Sequence, residues 1–461
     1  MHFFNTITIR WIFLTSRIIQ QRKVQIVMFI QLFSNYLVEQ SVITIEQRDS
    51  FQEEIQKTRV KLGTIAVAEG LLTNEQAEEI NHQQTQQDRR FGDIAIELGY
   101  LTETQVSKLL SMQGDFAMKY FQLLIDTIGL PMEAIREHLH NFQKIHGFTD
   151  DELEAVKNDD FESIIPLFAT VRDPMITDLA GLVMRNLTRF VTNNFYFGRM
   201  KKASGYSYSM LAGQKSVGDY NIFLGFSATS ELDGIIKLAK NYAKTVAVTS
   251  SDEVYDAVCE FANLNNGLFD SVLSDDDIFI EMVPPEVYLN QQLSGNAYCM
   301  PVYIDGSEFD LIISADADFV PGNNPHTLTL KKTELCTNVS STLPTVLVVD
   351  DSSLIRKVLI NLLNENGYQV IGEATNGLEG VELYKELEPD IVTLDITMPV
   401  MDGVTALRQI KEHNPNAMVA MISAAGQKDK LMDALREGAE LFFTKPFNAQ
   451  EVIKSLKNSE F

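Results

Sequence analysis

From Thr345 onward, short apolar runs alternate with amphipathic stretches, and this rhythm restricts the fold more than any other feature of the chain. "TVLVVD", "QVIGEA" and "IVTLDI" are almost continuously apolar, whereas "SSLIRKVLINLLNENG", "GLEGVELYKELEP" and "AQEVIKSLKN" carry apolar residues at helical spacing. A strand without a polar face must be covered on both sides. The pattern therefore predicts a doubly wound α/β domain over 345–461, with a five-stranded parallel sheet and right-handed crossovers. Ligands of such sheets bind at the carboxyl ends of the strands.

Those ends carry a distinctive set. Asp350 and Asp351 close the first strand, Asp395 closes the third, Ser423 follows "AMVAMI", and Lys445 precedes Pro446. Three converging carboxylates repel one another unless a hard cation sits among them, and a site of few carboxylates with open water positions suits Mg²⁺. A metal and a lysine around one carboxylate meet the needs of phosphoryl transfer to that carboxylate, because the incoming oxygens must be neutralised while the acid attacks. Residues 345–461 resemble the receiver domains of two-component response regulators. The resemblance implies Asp395 as phosphoacceptor and Mg²⁺ held by Asp350, Asp351, Asp395 and the main-chain carbonyl of Thr397. It also implies Ser423 and Lys445 as the phosphoryl-binding pair, Phe442 as the switch aromatic, and the run "MPVMDG" after the acceptor.

A second feature lies upstream, in "DAVCEFANLNNG". Asp256, Glu260 and Asn263 fall at spacings of four and three, so a helix gathers two acids and an amide on one face. An aspartyl phosphate is hydrolysed by a water placed in line, and a carboxamide can hold that water without competing as a nucleophile. A neighbouring carboxylate can pair with the receiver lysine and lock two surfaces together. Residues 175–335 read as an α+β domain and resemble the CheX/CheC/FliY family of aspartyl-phosphate phosphatases. By that resemblance Asp256, Glu260, Asn263 and the distant Pro285 follow the family signature, the proline arriving one residue early. Two other readings stand beside it: a polar row on the wet face of an ordinary helix, and a dimerisation module that has lost its chemistry.

The chain has 461 residues, enough for about three domains. "KLGTIAVAEGLLTNEQAEEINHQQ" (61–84) and "RFGDIAIELGYLTETQVSKLLSMQ" (90–113) superpose with a constant offset (92 − 63 = 99 − 70 = 29), and a fainter copy begins at Phe33. Each unit predicts a short helix, a glycine turn, a Thr N-cap and a second amphipathic helix. Such units bury their apolar faces only by stacking. They resemble the N-terminal domains of type II secretion and type IV pilus ATPases, among which MshE-like members bind cyclic di-GMP. That likeness implies Lys61, Gly63 and Gln84, then Arg90, Gly92 and Gln113, as nucleotide contacts; Lys61, Ala66, Asn81, Phe91 and Ala95 depart from its pattern. The organisation expected is an extension at 1–27, repeats over 28–114, a helical connector over 115–174, the CheX-like domain over 175–335, a linker over 336–344, and the receiver.

Lys and Arg total 38 against 63 Asp and Glu, a formal charge of −25, which argues against general nucleic-acid binding and leaves no DNA-binding output. Cys259, Cys299 and Cys336 are odd in number and widely spaced, so neither a disulfide framework nor a CxxC metal site is expected, and a cytoplasmic setting fits. In the first 33 residues Arg10, Arg17, Arg22 and Lys23 break every apolar run below the ~20 residues of a spanning helix, and Met28 offers an alternative start. The expectation is a two-component signalling protein phosphorylated on Asp395 by a histidine kinase. Its CheX-like domain would remove the phosphate from this or another receiver. The alternatives are a non-enzymatic, phosphorylation-gated interaction or homodimerisation protein and a cyclic di-GMP-responsive adaptor.

Overall fold

The computed structural model describes residues 28–329 and 343–458, apart from 56, 88, 159, 170, 172, 193, 204, 245–246, 276–277, 425–427, 446 and 448. The expected extension, Cys336, Pro446 and nearly all of the expected linker lie outside the described residues. Two compact units result, one over 28–164 with a short return at 194–196, the other over 165–192 and from 197 onward. No helix among the described residues is long and apolar enough to cross a membrane.

In the first unit the repeat exists three times. Met28–Glu39 with Ile45–Glu54, Leu62–Ala68 with Asn74–Gln87, and Phe91–Glu97 with Glu103–Ser111 are successive helix pairs. The turn residue of each pair is left-handed: Ser41 at φ 58°, Gly70 at 69° and Gly99 at 70°. Two copies use glycine, which pays no Cβ penalty there. Thr44, Thr73 and Thr102 each accept from the amide three residues on, while Gln47, Gln76 and Gln105 reach back to the threonine amides. These reciprocal capping boxes satisfy helix-end donors. A Cβ on Gly63 would stand 3.2 Å from the Phe91 ring, the close fit by which one copy packs on the next.

The second unit contains two sheets. Helix α1 (Pro174–Asn186) is followed by β1 (Ser207–Gly218) and β2 (Ile222–Ala228), helices α2 (Asp233–Ala243) and α3 (Ser251–Asp275), then β3 (Ile280–Met282), β4 (Glu286–Gln292), β5 (Tyr298–Ile304), β6 (Ser307–Ser314) and β7 (Pro325–His326). The strands run β5-β6-β2-β1-β4-β7, with β3 also pairing β1, and all these pairings are antiparallel. The β5–β6 hairpin turns at Asp305 and Gly306, both at positive φ, as a two-residue Asp-Gly hairpin requires. The parallel sheet consists of β8 (Thr345–Val349), β9 (Gln369–Ala374), β10 (Ile391–Asp395), β11 (Met418–Ala424) and β12 (Leu441–Lys445), in the order β9-β8-β10-β11-β12. Helices α4 (Ser353–Glu365), α5 (Gly377–Leu387), α6 (Gly403–His413), α7 (Lys428–Arg436) and α8 (Ala449–Asn458) complete it. Separate apolar clusters line its two faces, one around Leu347, Leu394 and Met421, the other around Val346, Leu359 and Ile422. This five-stranded parallel architecture is the receiver-type fold expected from the alternating pattern.

Candidate functional site

At the carboxyl edge of the parallel sheet, Asp350, Asp395, Ser423 and Lys445 come together as buried groups, with Asp351 half-buried beside them. Lys445 Nζ lies 2.9 Å from Asp350 Oδ2 and 3.3 Å from Asp395 Oδ1. Arg356, on α4, pins the loop that carries the first two acids. Its guanidinium donates to the carbonyls of Asp350 (2.8 Å) and Asp351 (3.0 Å) and pairs with Glu373 at 2.8 Å. Arg356 is 1% exposed, so the ion pair is fully desolvated and its geometry tightly held. Behind Asp395 the chain folds back closely: a Cβ on Gly403 would sit 1.9 Å from the Asp395 carbonyl, so the glycine of "MPVMDG" is a steric necessity. In the same run Val400 is forced to φ 68°, a strained value for a β-branched residue. Thr397 follows β10, and Phe442 packs half-buried against the cluster around Leu394.

The acidic row of α3 is not on a wet face. Asp256 and Glu260 are 5% and 6% exposed, Asn263 is buried as well, and α3 lies against this edge of the receiver sheet. Asp256 Oδ2 accepts from Leu354 N (2.9 Å), Ser353 Oγ (2.8 Å) and Ser352 Oγ (3.3 Å), at the N-terminus of α4. A helix N-terminus presents free amides and partial positive charge, which suit a carboxylate. One turn earlier, Glu253 pairs with Lys357. One turn later, Glu260 offers a carboxylate oxygen within 4.8 Å of those of Asp350 and Asp351.

The electrostatics follow from this crowding. Burial raises the carboxyl pKa of Glu260 and Asp395, the Lys445 ammonium works against it, and Asp350 adds to it. Asp351 is raised by burial and then by Asp395 and Asp350. Burial alone would lower Lys445, yet Asp350, Asp395 and Glu260 drive it upward. The expected direct pairing of Glu260 with Lys445 is corrected here: among the described residues the ion pairs of Lys445 go to the receiver's own aspartates, because β8 and β10 already bring both within reach. Glu260 acts on the lysine through space. The carboxylate oxygens of Glu260, Asp350 and Asp351 lie within 4.8 Å of one another and form an all-oxygen donor set that fits a hard divalent cation.

Asn263 belongs to a buried amide network. Gln214 Nε2 on β1 donates to Asn263 Oδ1 (2.9 Å), and Asn266 Nδ2 donates to Gln214 Oε1 (3.0 Å) and to its carbonyl (3.3 Å). Pro285 sits in the connection between β3 and β4. Sequence reasoning missed Arg356, Gln214, the Glu253–Lys357 pair and Tyr242 of α2. Tyr242 is raised by burial and further by the charge of Glu260, and its ring lies 5.3 Å from that of Phe261. An arginine four residues after "DS" inside an apolar helix was the one signal available for any of them.

In the first unit, Lys61, Gly63, Gly92 and Gln113 among the expected nucleotide contacts are engaged in the scaffold. Lys61 donates its amide to Gln122 Oε1 (3.1 Å) and pairs with Asp126 at 2.9 Å. Gln113 Nε2 donates to the Val60 carbonyl (3.1 Å). A Cβ on Gly92 would meet Val106 at 2.7 Å, Arg90 is the exposed N-cap residue of its helix, and Gln84 is half-buried.

Residues 346–457 match the response regulator receiver domain family. Chemotaxis protein CheY of Thermotoga maritima is 48% identical over 111 residues, which make up 24% of this chain and 92% of that protein. CheY of Bacillus subtilis is 45% identical over 114 residues, 25% of this chain and 95% of that one. A solved CheX–CheY–BeF3–Mg²⁺ complex from Borrelia burgdorferi matches at 43% identity over 24% of this chain and 86% of the compared chain, with a TM-score of 0.24. With the strand-end acids, the lysine and the parallel sheet in place, the chain belongs to the response regulator receiver family through residues 346–457.

Proposed function

We propose that this protein is a self-resetting response regulator, in which Asp395 accepts a phosphoryl group from a histidine kinase and the α3 face of the middle domain removes it in cis. The observation that carries this reading is the seating of α3: Asp256 is bonded to the start of α4 while Glu260 reaches Asp350 and Asp351 at the receiver's acidic edge. Asp350, Asp351, Asp395 and the carbonyl of Thr397 would hold Mg²⁺, which supplies charge neutralisation for the transferring phosphoryl oxygens. Lys445 and Ser423 would bind the same group. In phosphorylation an Asp395 oxygen attacks phosphorus as the P–N bond to the donor imidazole breaks. In the reset, water attacks, the bond from phosphorus to Asp395 breaks, and inorganic phosphate leaves.

The arrangement supports action in cis because the two surfaces are joined by fully buried hydrogen bonds within one chain. The same closeness favours a second reading, a phosphorylation-gated contact without hydrolysis, since a phosphoryl group on Asp395 would press against Glu260. The half-life of the phosphate on Asp395 after donor removal separates them. It is measured in the intact protein and in the Glu260→Ala/Asn263→Ala double variant. A much shorter half-life in the intact protein is expected; equal half-lives overturn hydrolysis in cis and leave the gated contact.

A further inference from the structure

A carboxamide can present either its oxygen or its nitrogen to a neighbour, and the two ends do different chemistry. For Asn263 the choice is made by a relay that begins at a main-chain atom. The carbonyl of Gln214 can only accept, so the group of Asn266 bonded to it at 3.3 Å is the NH2 end. The same nitrogen lies 3.0 Å from the Gln214 side chain, which must therefore offer Oε1 there. Gln214 is left with Nε2 for its remaining neighbour, and Asn263 must answer with Oδ1, at 2.9 Å. Gln214 and Asn266 are 1% and 2% exposed and Asn263 is 9% exposed, so water does not compete for these bonds. Gln214 sits on β1, outside the helix that carries the acidic row.

We propose that Gln214 is a positioning residue for dephosphorylation: it ties down the oxygen of Asn263, so that the NH2 is the end this amide offers to the attacking water. An N–H donated to the attacking water occupies one lone pair of its oxygen and leaves the other for phosphorus. The new P–O bond forms as the bond to Asp395 breaks, Asp395 leaves as a carboxylate, and the proton of the water is released with inorganic phosphate. A freely turning amide would spend part of its time offering the oxygen instead, orienting the water by its hydrogens with a different lone-pair direction. The relay removes that alternative before the substrate forms.

This inference rests on the cis-phosphatase reading, and the test separates the two. The half-life of phospho-Asp395 is measured in full-length wild type, Asn263→Ala, Gln214→Glu, Gln214→Met and Gln214→Met/Asn263→Ala. Glu at 214 keeps the shape and the acceptor for Asn266 but cannot donate to Asn263, so it inverts the amide. Met removes the donor without adding a buried charge and serves if the Glu variant fails to fold. Both Gln214 variants are expected to lengthen the half-life between about tenfold and a hundredfold, the scale of a misplaced catalytic group. The double variant is expected to match Asn263→Ala, because Gln214 acts only through Asn263. A wild-type half-life in both Gln214 variants, with Asn263→Ala slowed, overturns the inference alone. Additional slowing by Gln214→Met in the Asn263→Ala background also overturns it, since that marks a general structural role. A wild-type half-life in Asn263→Ala overturns both the inference and the reading beneath it.

Discussion

The helical repeats and the receiver edge treat their polar side chains in opposite ways. In the repeats Gln113 and the three capping glutamines are each engaged by a backbone group, and Lys61 is paired with Asp126. At the receiver edge Asp350, Asp351, Asp395 and Glu260 crowd together with Lys445 as the ammonium among them: burial raises the pKa values of Asp351, Asp395 and Glu260, and the surrounding carboxylates raise that of Lys445. A scaffold satisfies its polar groups internally; a reacting site leaves charge unbalanced and burial to amplify it.

That contrast can be broken most severely at Asp395. Asp395→Asn is expected to abolish incorporation of acid-labile phosphate altogether; residual incorporation of the wild-type amount would place the acceptor elsewhere. Next in size is Arg356→Leu, which removes the guanidinium paired with the buried Glu373 and bonded to the carbonyls of Asp350 and Asp351, and so frees the loop that carries them. A loss of about 3–5 kcal/mol is expected from the receiver's denaturant midpoint, the cost of breaking a buried pair from one side. A change within error would show that the pair contributes nothing to holding the loop.

Smaller effects follow at the contact with α3. Asp256→Ala deletes three hydrogen bonds to the start of α4, and Asp395 is only 3% exposed beneath that contact. Phosphorylation by a small-molecule donor is expected to accelerate severalfold, and an unchanged rate would show that α3 does not shield the acceptor. Acid should loosen the same contact. Burial would raise Glu253, but Lys357 and the amides of Thr249 and Ser250 hold it down to about 2 against an ordinary 4.5. A depressed carboxylate stabilises fully above its unfolded pKa, so this contribution is intact above about pH 4.5 and fades as pH falls toward 2. Amide hydrogen exchange at the start of α4, compared with Glu253→Gln across that window, reads it directly.

The smallest effects belong to the repeats. Gln113→Ala is expected to cost about 1 kcal/mol and Lys61→Ala less than about 1 kcal/mol, because the first removes a side-chain bond to a carbonyl and the second an exposed ion pair. Thermal denaturation measures both. A titratable shift with cyclic di-GMP that disappears in Arg90→Ala would overturn the contrast, making the repeats a ligand site as well as a scaffold.

Much of this architecture was legible in the residues. The alternating apolar pattern announced the parallel sheet, and the five strand-end positions announced which side chains would meet, since a doubly wound sheet brings its carboxyl ends to one edge. The offset of the repeats and their threonines marked the helix pairs, although the left-handed Ser41 shows that a glycine was not required at every turn. The four-and-three spacing in α3 correctly placed Asp256, Glu260 and Asn263 on one face. Whether that face was wet or covered was not legible. Asp256 reads like an exposed acid, yet its partners lie 96 to 98 residues away. Gln214 reads like any polar residue in a strand, and its bonds to Asn263 and Asn266 depend on which helix crosses β1.

What the sequence determined by itself was therefore local: the period of each element, its caps, and the side chains that share a face, all of which follow from covalent geometry and backbone hydrogen bonding repeated every few residues. Only the tertiary structure decided which faces meet. The seating of α3 against β11 and α4, the pairing of Lys445 with Asp350 and Asp395, and the polarity of Asn263 all depend on packing between segments far apart in the chain, where no residue period carries the register.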